Sequence, residues 1–212
     1  MIIRLLPITT QACPYWDSLV RIYHESFPID EQRPVADIAC LITKEPRYTL
    51  YAIVDDDADA KGASVATTEP LGSPRSTTLT SFSHPEGTLN TKQALGLLTT
   101  WHFDEFTYIE HFAIDPTLRS QGYGSMVMRI FIRQQEKPII LEAEPPTDDI
   151  TRRRIRFYER LGLTLCDLPY LQPAYTEDSQ PVELRLMGTL DSKIISLIHV
   201  SNVLHREVYG CK

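Results

Sequence analysis

Cysteine is scarce in this chain. Cys13, Cys40, Cys166 and Cys211 are the only four in 212 residues, and no two form a CxxC pair. That scatter argues against a zinc site, and no metal is expected. Such sparse use fits reduced thiols in a cytoplasmic protein. Long apolar runs are missing too, so no segment reads as membrane-spanning and no membrane partner is expected. Residues 1–10 carry neither a basic lead nor an apolar stretch of signal-peptide length; Ile2 to Leu6 reads as a first strand. Basic residues are outnumbered, 21 Lys and Arg against 28 Asp and Glu, for a formal net charge of −7. A general nucleic-acid binder leaves a basic footprint, so no nucleic-acid partner is expected. Neither Gly-Lys-Ser/Thr nor Gly-x-Gly-x-x-Gly occurs, which removes the usual fingerprints of nucleotide-binding loops.

The remainder is globular material, 42% hydrophobic, enough for one domain with a sizeable core. Thr9 or Thr10 is placed to cap a helix beginning near Gln11, with Pro14 in its first turn. Leu19, Val20, Tyr23 and Phe27 fall at helical spacing. A second helix is predicted over 34–43 and strands over 48–54, 94–103 and 107–114. Between them, residues 56–91 hold twelve Ser or Thr with three Pro and three Gly, the texture of a flexible insertion or an active-site lid. Further on, the pattern predicts a helix over 125–135, a strand over 138–143, and a helix over 150–161 capped by Thr147 or Asp148 and ended by Gly162. Strands over 164–168 and 182–187 follow, joined by a Tyr- and Pro-containing segment. The expected organisation is one α/β domain over 1–188, with a mixed central sheet flanked by helices, and a helical extension over 189–212.

The most informative stretch runs from Asp115 to Gly124, between the strand ending at Ile114 and the next helix. A strand, a loop with glycines and a helix N-terminus aim backbone N–H groups and partial positive charge at one point. A phosphate or pyrophosphate is the predicted ligand. The sequence Arg119-Ser-Gln-Gly-Tyr-Gly124 resembles the acyl-CoA-binding signature of the GNAT N-acetyltransferase superfamily, Gln/Arg-x-x-Gly-x-Gly/Ala. Its lead-in Ile114-Asp115-Pro116 and the later Phe157-Tyr-Glu-Arg-Leu-Gly162 strengthen the likeness, which runs from the first strand to Met187.

That resemblance implies an acetyl-CoA-dependent N-acetyltransferase acting on a primary amine of a small molecule or peptide, by direct attack in a ternary complex. The backbone of Phe112, Ala113 and Ile114 would hold the pantetheine arm. The N–H groups of Gln121, Gly122, Tyr123, Gly124 and Ser125 would meet the pyrophosphate, helped by Arg119. Tyr158 would protonate the departing thiolate. Where many relatives carry Asn and Ala, this chain has Thr151 and Arg154; Thr151 is left to contact pantetheine. Glu110 is the expected base. Because neighbouring strand residues point to opposite faces, His111 is expected to pack away from it. Tyr23, His24, Glu25, Phe27 and Glu31 on one side, and Tyr170, Gln172, Pro173 and Tyr175 on the other, would wall the acceptor site. A non-catalytic acyl-CoA sensor with the same fold is the alternative, and a homodimer stays open.

Overall fold

The computed structural model describes residues 2–55, 91–189 and 196–210. The expected insertion therefore lies almost wholly outside the described residues, as does the start of the C-terminal extension. The described strands are β1 (Ile3–Ile8), β2 (Tyr48–Asp55), β3 (Gly96–His102), β4 (Thr107–Ile114), β5 (Ile139–Ala143), β6 (Thr164–Gln172) and β7 (Val182–Gly188). They form one seven-stranded sheet in the order β1-β2-β3-β4-β5-β7-β6. All neighbours are antiparallel except β4 and β5, which run parallel.

Helices cover both faces. On one lie α1 (Trp16–Ser26), α2 (Val35–Lys44) and the C-terminal α5 (Leu197–Val203). Leu19, Ile22 and Tyr23 of α1 and Val200 of α5 join Leu50, Trp101, Tyr108 and Leu186 in one apolar cluster. On the other lie α3 (Tyr123–Gln134) and α4 (Asp149–Glu159), whose Met128, Phe131, Ile155 and Tyr158 pack on Leu98, Ile109, Leu141 and Met187. Each such fully buried apolar side chain contributes about 1.5–3 kcal/mol.

Three boundaries differ from the sequence pattern. Helix α1 starts at Trp16 rather than near Gln11, because a residue before proline is pushed out of helical dihedrals and Cys13 precedes Pro14. Thr10 instead closes a local turn, its hydroxyl accepting from the Ala12 N–H at 3.3 Å. Strand β6 continues past Leu168 to Gln172. It tolerates Pro169 because it is an edge strand with an irregular register between Leu165 and Pro169. The helical extension expected over 189–212 is, among the described residues, α-helical over Leu197–Val203 and finishes with a wider π-helical turn, Leu204–Val208.

Candidate active site

The parallel pair β4–β5 holds together only over Thr107↔Ile139, Tyr108↔Ile140 and Ile109↔Leu141. Beyond that the strands part. A cavity of about 330 Å³ opens in the gap, lined among others by Phe27, Glu31, His111, Glu142, Arg154 and Tyr158. A second, of about 350 Å³, lies over the glycine loop and is lined by Ser120, Gly122, Tyr123, Gly124, Ser125 and Phe157. Ile114 and Arg119 line both, so one elongated molecule can lie on the loop and reach into the gap.

The loop owes its shape to local rules. Asp115 accepts from the Thr117 N–H at 2.9 Å and its hydroxyl at 2.6 Å, and pairs with Arg21. Gly122 caps α3 in the left-handed region, φ +88°, which disfavours any side chain. Ser120 also has positive φ, 64°. The first-turn N–H groups at Tyr123, Gly124 and Ser125 have no intrahelical acceptor and face the concavity with the dipole's positive end. Gly124 is different: a Cβ there would meet only ordinary contacts, 3.7 Å from Ile114 and Phe157. Arg119 donates to the Ile114 carbonyl at 3.3 Å and to Ser26 Oγ at 2.9 Å, which places its guanidinium at the junction of the two cavities. The Gln121 side chain is exposed.

Just past β4, the Asp115 N–H bonds back to the Leu95 carbonyl at 2.9 Å. Strand alternation then turns the Ala113 backbone towards β3 and leaves Phe112 and Ile114 facing the gap. The Ala113 carbonyl confirms this, lying 2.3 Å from where a Gly96 Cβ would stand. Ala113 was expected to share backbone contacts in the gap; its N–H and C=O are turned away from it.

One irregularity reorganises the site. Thr99 pairs with His111 but Thr100 pairs with Ile109, so Glu110 is an extra residue, a β-bulge. A bulge cancels one step of alternation. Glu110 and His111 therefore lie on the same face, together with Tyr108, and the expectation that His111 packs away from Glu110 is corrected. His111 is buried, with Nε2 3.1 Å from the Tyr23 hydroxyl and from the Glu31 carbonyl, and Nδ1 3.2 Å from Thr99 Oγ1. A carbonyl can only accept, so Nε2 carries the proton. Burial lowers the imidazole pKa, keeping the ring neutral.

Glu110 is fully engaged. Its Oε1 accepts from Arg33 Nε (2.9 Å), Arg33 Nη2 (2.7 Å) and the Tyr175 hydroxyl (2.9 Å), and its Oε2 from Trp101 Nε1 (2.9 Å). The side chain has 0% exposure. Burial pushes its pKa up, but Arg33, His111 and the Trp101 N–H together outweigh that and hold it below the usual range. A carboxylate so saturated and so acidic is poorly suited to accept a proton near neutral pH.

Directly across the gap stands Glu142, which the sequence reading passed over. It is the first β5 residue beyond the last β4–β5 pair and lines the cavity. Its Oε2 accepts from the Tyr209 hydroxyl at 2.9 Å, Oε1 is buried, and the Tyr170 and Tyr108 hydroxyls also act on the carboxylate. Burial raises its pKa to about 7, against the lowering pull of the Tyr170, Tyr108 and Tyr209 hydroxyls. The only sequence signal was a lone acid at the end of an apolar strand.

Tyr158 reaches the same cavity from the opposite face of the sheet, on α4. Thr151, Ile155 and Tyr158 are that helix's buried residues, three and four apart. The Tyr158 hydroxyl has no hydrogen-bond partner among the described residues, and burial pushes its pKa up to about 12. Thr151, expected to touch pantetheine, is committed elsewhere. Its hydroxyl and N–H form a capping box with Asp148 (2.8–3.2 Å), which leaves the buried side chain no donor to offer. Arg154 pairs with Glu144 at the rim. Of the expected acceptor wall, Phe27, Glu31 and Gln172 line the cavity, whereas His24 and Glu25 are exposed and bonded to Gln32 and Arg21.

Comparison with known proteins agrees with this geometry. Residues 16–163 match the family model described as acetyltransferase (GNAT) family. A solved structure of a putative GNAT-family acetyltransferase from Bacteroides thetaiotaomicron is 30% identical, covers 99% of both chains and superposes with a TM-score of 0.77. The crystal structure of Arabidopsis thaliana NAA60 with a bisubstrate analogue shares the fold, with a TM-score of 0.52 over 88% of this chain and 98% of that one at 14% identity. Among curated proteins, a 60-residue stretch, 27% of this chain, is 35% identical to the putative acetyltransferase YjbC of Bacillus subtilis (strain 168), and spans only 31% of that protein. A parted parallel strand pair, a glycine loop at a helix N-terminus and a match over most of the chain lead to one conclusion: this protein is an acyltransferase of the GNAT acetyltransferase family.

Proposed function

We propose that the enzyme moves the acetyl group of acetyl-CoA onto a primary amine of a small molecule or peptide, by direct attack in a ternary complex. One observation carries the reading: the gap between β4 and β5 opens to both faces of the sheet, with Tyr158 on one side and Glu142 on the other. The N–H groups of Gln121, Gly122, Tyr123, Gly124 and Ser125 and the Arg119 guanidinium would meet the pyrophosphate. The backbone of Phe112 and the Ile114 N–H face the gap and would hold the pantetheine arm and, through an N–H, polarise the thioester carbonyl; the Ile114 carbonyl is already taken by Arg119.

An amine must lose a proton to attack. Glu142 lines the cavity and has a pKa near working pH, the combination a general base needs. Glu110 takes a supporting role, its fixed negative charge helping to keep the Glu142 pKa up. Tyr158, protonated throughout the working range, donates to the leaving sulfur. Two carboxylates whose surroundings drive their pKa values apart are a recurring way to divide such labour.

The test is thermal unfolding with acetyl-CoA, with ATP and NAD as controls, followed by thiol release over a panel of polyamines, arylalkylamines and short peptides. Ligand at about 100 times its Kd adds roughly 2.7 kcal/mol to the native state. Stabilisation by acetyl-CoA alone with amine-dependent thiol release is the expected result. Stabilisation without turnover on any amine would leave an acyl-CoA-binding module, and no stabilisation at millimolar ligand would overturn the assignment of the loop.

A further inference from the structure

The C-terminal segment lies beyond the family match, which ends at Leu163, yet it enters the site. Val200, Leu204 and Val208, four residues apart, are buried in the cluster that underlies the acceptor face. The helix then widens: the Tyr209 N–H bonds the Leu204 carbonyl at 3.2 Å, an i to i+5 step. A π-turn holds more residues per revolution than an α-turn, which swings Tyr209 nearer the inward face than a regular helix would. Its ring lies 5.1 Å from that of Tyr175, and its hydroxyl meets Glu142 Oε2 at 2.9 Å and the Tyr108 hydroxyl at 3.1 Å. A phenol has one proton. With that proton given to Glu142, Tyr108 must donate to Tyr209, and the chain of bonds runs Tyr108 to Tyr209 to Glu142. One residue earlier, the Val208 carbonyl accepts from Arg33 Nη2 at 3.0 Å, the guanidinium that neutralises Glu110. Glu207 pairs with Arg47 at 3.0 Å and fixes the segment from outside.

We propose that this segment is a working part of the active site, with Tyr209 a positioning residue whose hydroxyl, donating to Glu142 Oε2, orients and tunes the carboxylate that serves the acceptor amine. The inference rests on the reading of Glu142 as the base. The groups facing Glu142 are Tyr108 and Glu110 from β4, Tyr170 from β6, Tyr175 from the connection to β7, and Tyr209 from the tail. Only Tyr209 comes from outside the sheet and its connections. A donor to a carboxylate stabilises the ionised form, so removing it makes Glu142 a later-ionising base.

The experiment compares pH–rate profiles of the full-length enzyme, its Tyr209→Phe variant and its Glu142→Gln variant, using the fastest amine of the panel above. The expected result for Tyr209→Phe is an ascending limb moved up by about one pH unit, with kcat at pH 7 reduced and KM for acetyl-CoA unchanged. A profile superimposable on wild type overturns the inference. Replacing Tyr209 by 3-fluorotyrosine keeps the packing and strengthens the donor, so the limb should move down. This second variant decides the matter if Tyr209→Phe does not fold, and an unmoved limb there overturns the proposal equally. Glu142→Gln separates the two levels. If it is as active as wild type, the base reading falls and the inference with it. If it is inactive while neither Tyr209 change moves the limb, the role of Tyr209 alone is refuted.

Discussion

Glu110 and Glu142 are the first residues past the last β4–β5 pair, one on each strand, and their surroundings treat them in opposite ways. Glu110 receives four hydrogen bonds from Arg33, Tyr175 and Trp101; the groups acting on Glu142 are phenol hydroxyls and a second carboxylate. The difference originates in the backbone. The bulge brings Glu110, which also lines the cavity, to Arg33, Trp101 and Tyr175. Regular pairing of β5 delivers Glu142 to the cavity. One carboxylate is thereby locked ionised and the other left responsive near neutral pH.

Glu142→Gln should lower kcat by about 100-fold or more, the usual range for a lost general base. The wild-type rate should rise with pH through about 7, where Glu142 ionises, and that limb should vanish in the variant. The stability effect has its own sign. A carboxyl with a raised folded pKa costs stability as pH climbs from its unfolded value, near 4.3, through 7. Glu142→Gln should therefore raise Tm at pH 8 relative to wild type and lose that advantage at pH 4.5. Paired thermal scans at the two pH values check it.

Arg33→Met should cost about 3–5 kcal/mol, since it strands a carboxylate with no exposure. Tm should fall by roughly 6–20 °C for a chain of this size. The double variant with Glu110→Gln should recover much of the loss, because no buried charge then lacks a partner. Glu110 has a depressed pKa, so its share of wild-type stability is present above the unfolded carboxylate value and is lost as pH falls below it. Urea unfolding of both variants at pH 7 would reveal whether the pair behaves this way; equal stability of the single and double variants would contradict it.

Much of the fold was legible because periodicity and punctuation agreed. The span Thr107–Ile114 matches its alternating pattern at both ends, and Asp148 caps α4 as its position ahead of an amphipathic stretch requires. The candidate site was readable in outline where its chemistry is written in consecutive residues, as at Arg119 to Ser125 and around Tyr158. Glu142 was missed because its partners, Tyr108, Tyr170 and Tyr209, come from three distant segments. Glu110 and His111 were assigned to opposite faces because period-two reasoning presumes unbroken pairing, and one bulge reverses it. The π-turn that carries Tyr209 inward has no sequence signature.

Gly96→Ala probes how the gap is held open. A Cβ there would stand 2.3 Å from the Ala113 carbonyl, a backbone atom that cannot swing aside. β3 and β4 would have to separate where β4 turns Phe112 and Ile114 towards the cavity. The expected cost is about 1–3 kcal/mol, seen as a lower Tm, together with a raised KM for acetyl-CoA. Loss of stability with an unchanged KM would show that the gap does not depend on this contact.

Tyr158→Phe tests the other side of the sheet. The ring packs on the α4 face beside Ile155 and Phe157, and phenylalanine preserves that packing. The hydroxyl has no partner to strand, so the variant should fold with Tm within about 1 °C of wild type. If the hydroxyl protonates the leaving sulfur, kcat should fall by about 100-fold with KM for acetyl-CoA unchanged, since the lost interaction forms only as the thiolate departs. The wild-type pKa of about 12 places the corresponding descending limb above the assay range, so any decline below pH 10 must come from another group. Unchanged kcat in the variant would remove Tyr158 from the reaction and leave proton delivery to water in the gap.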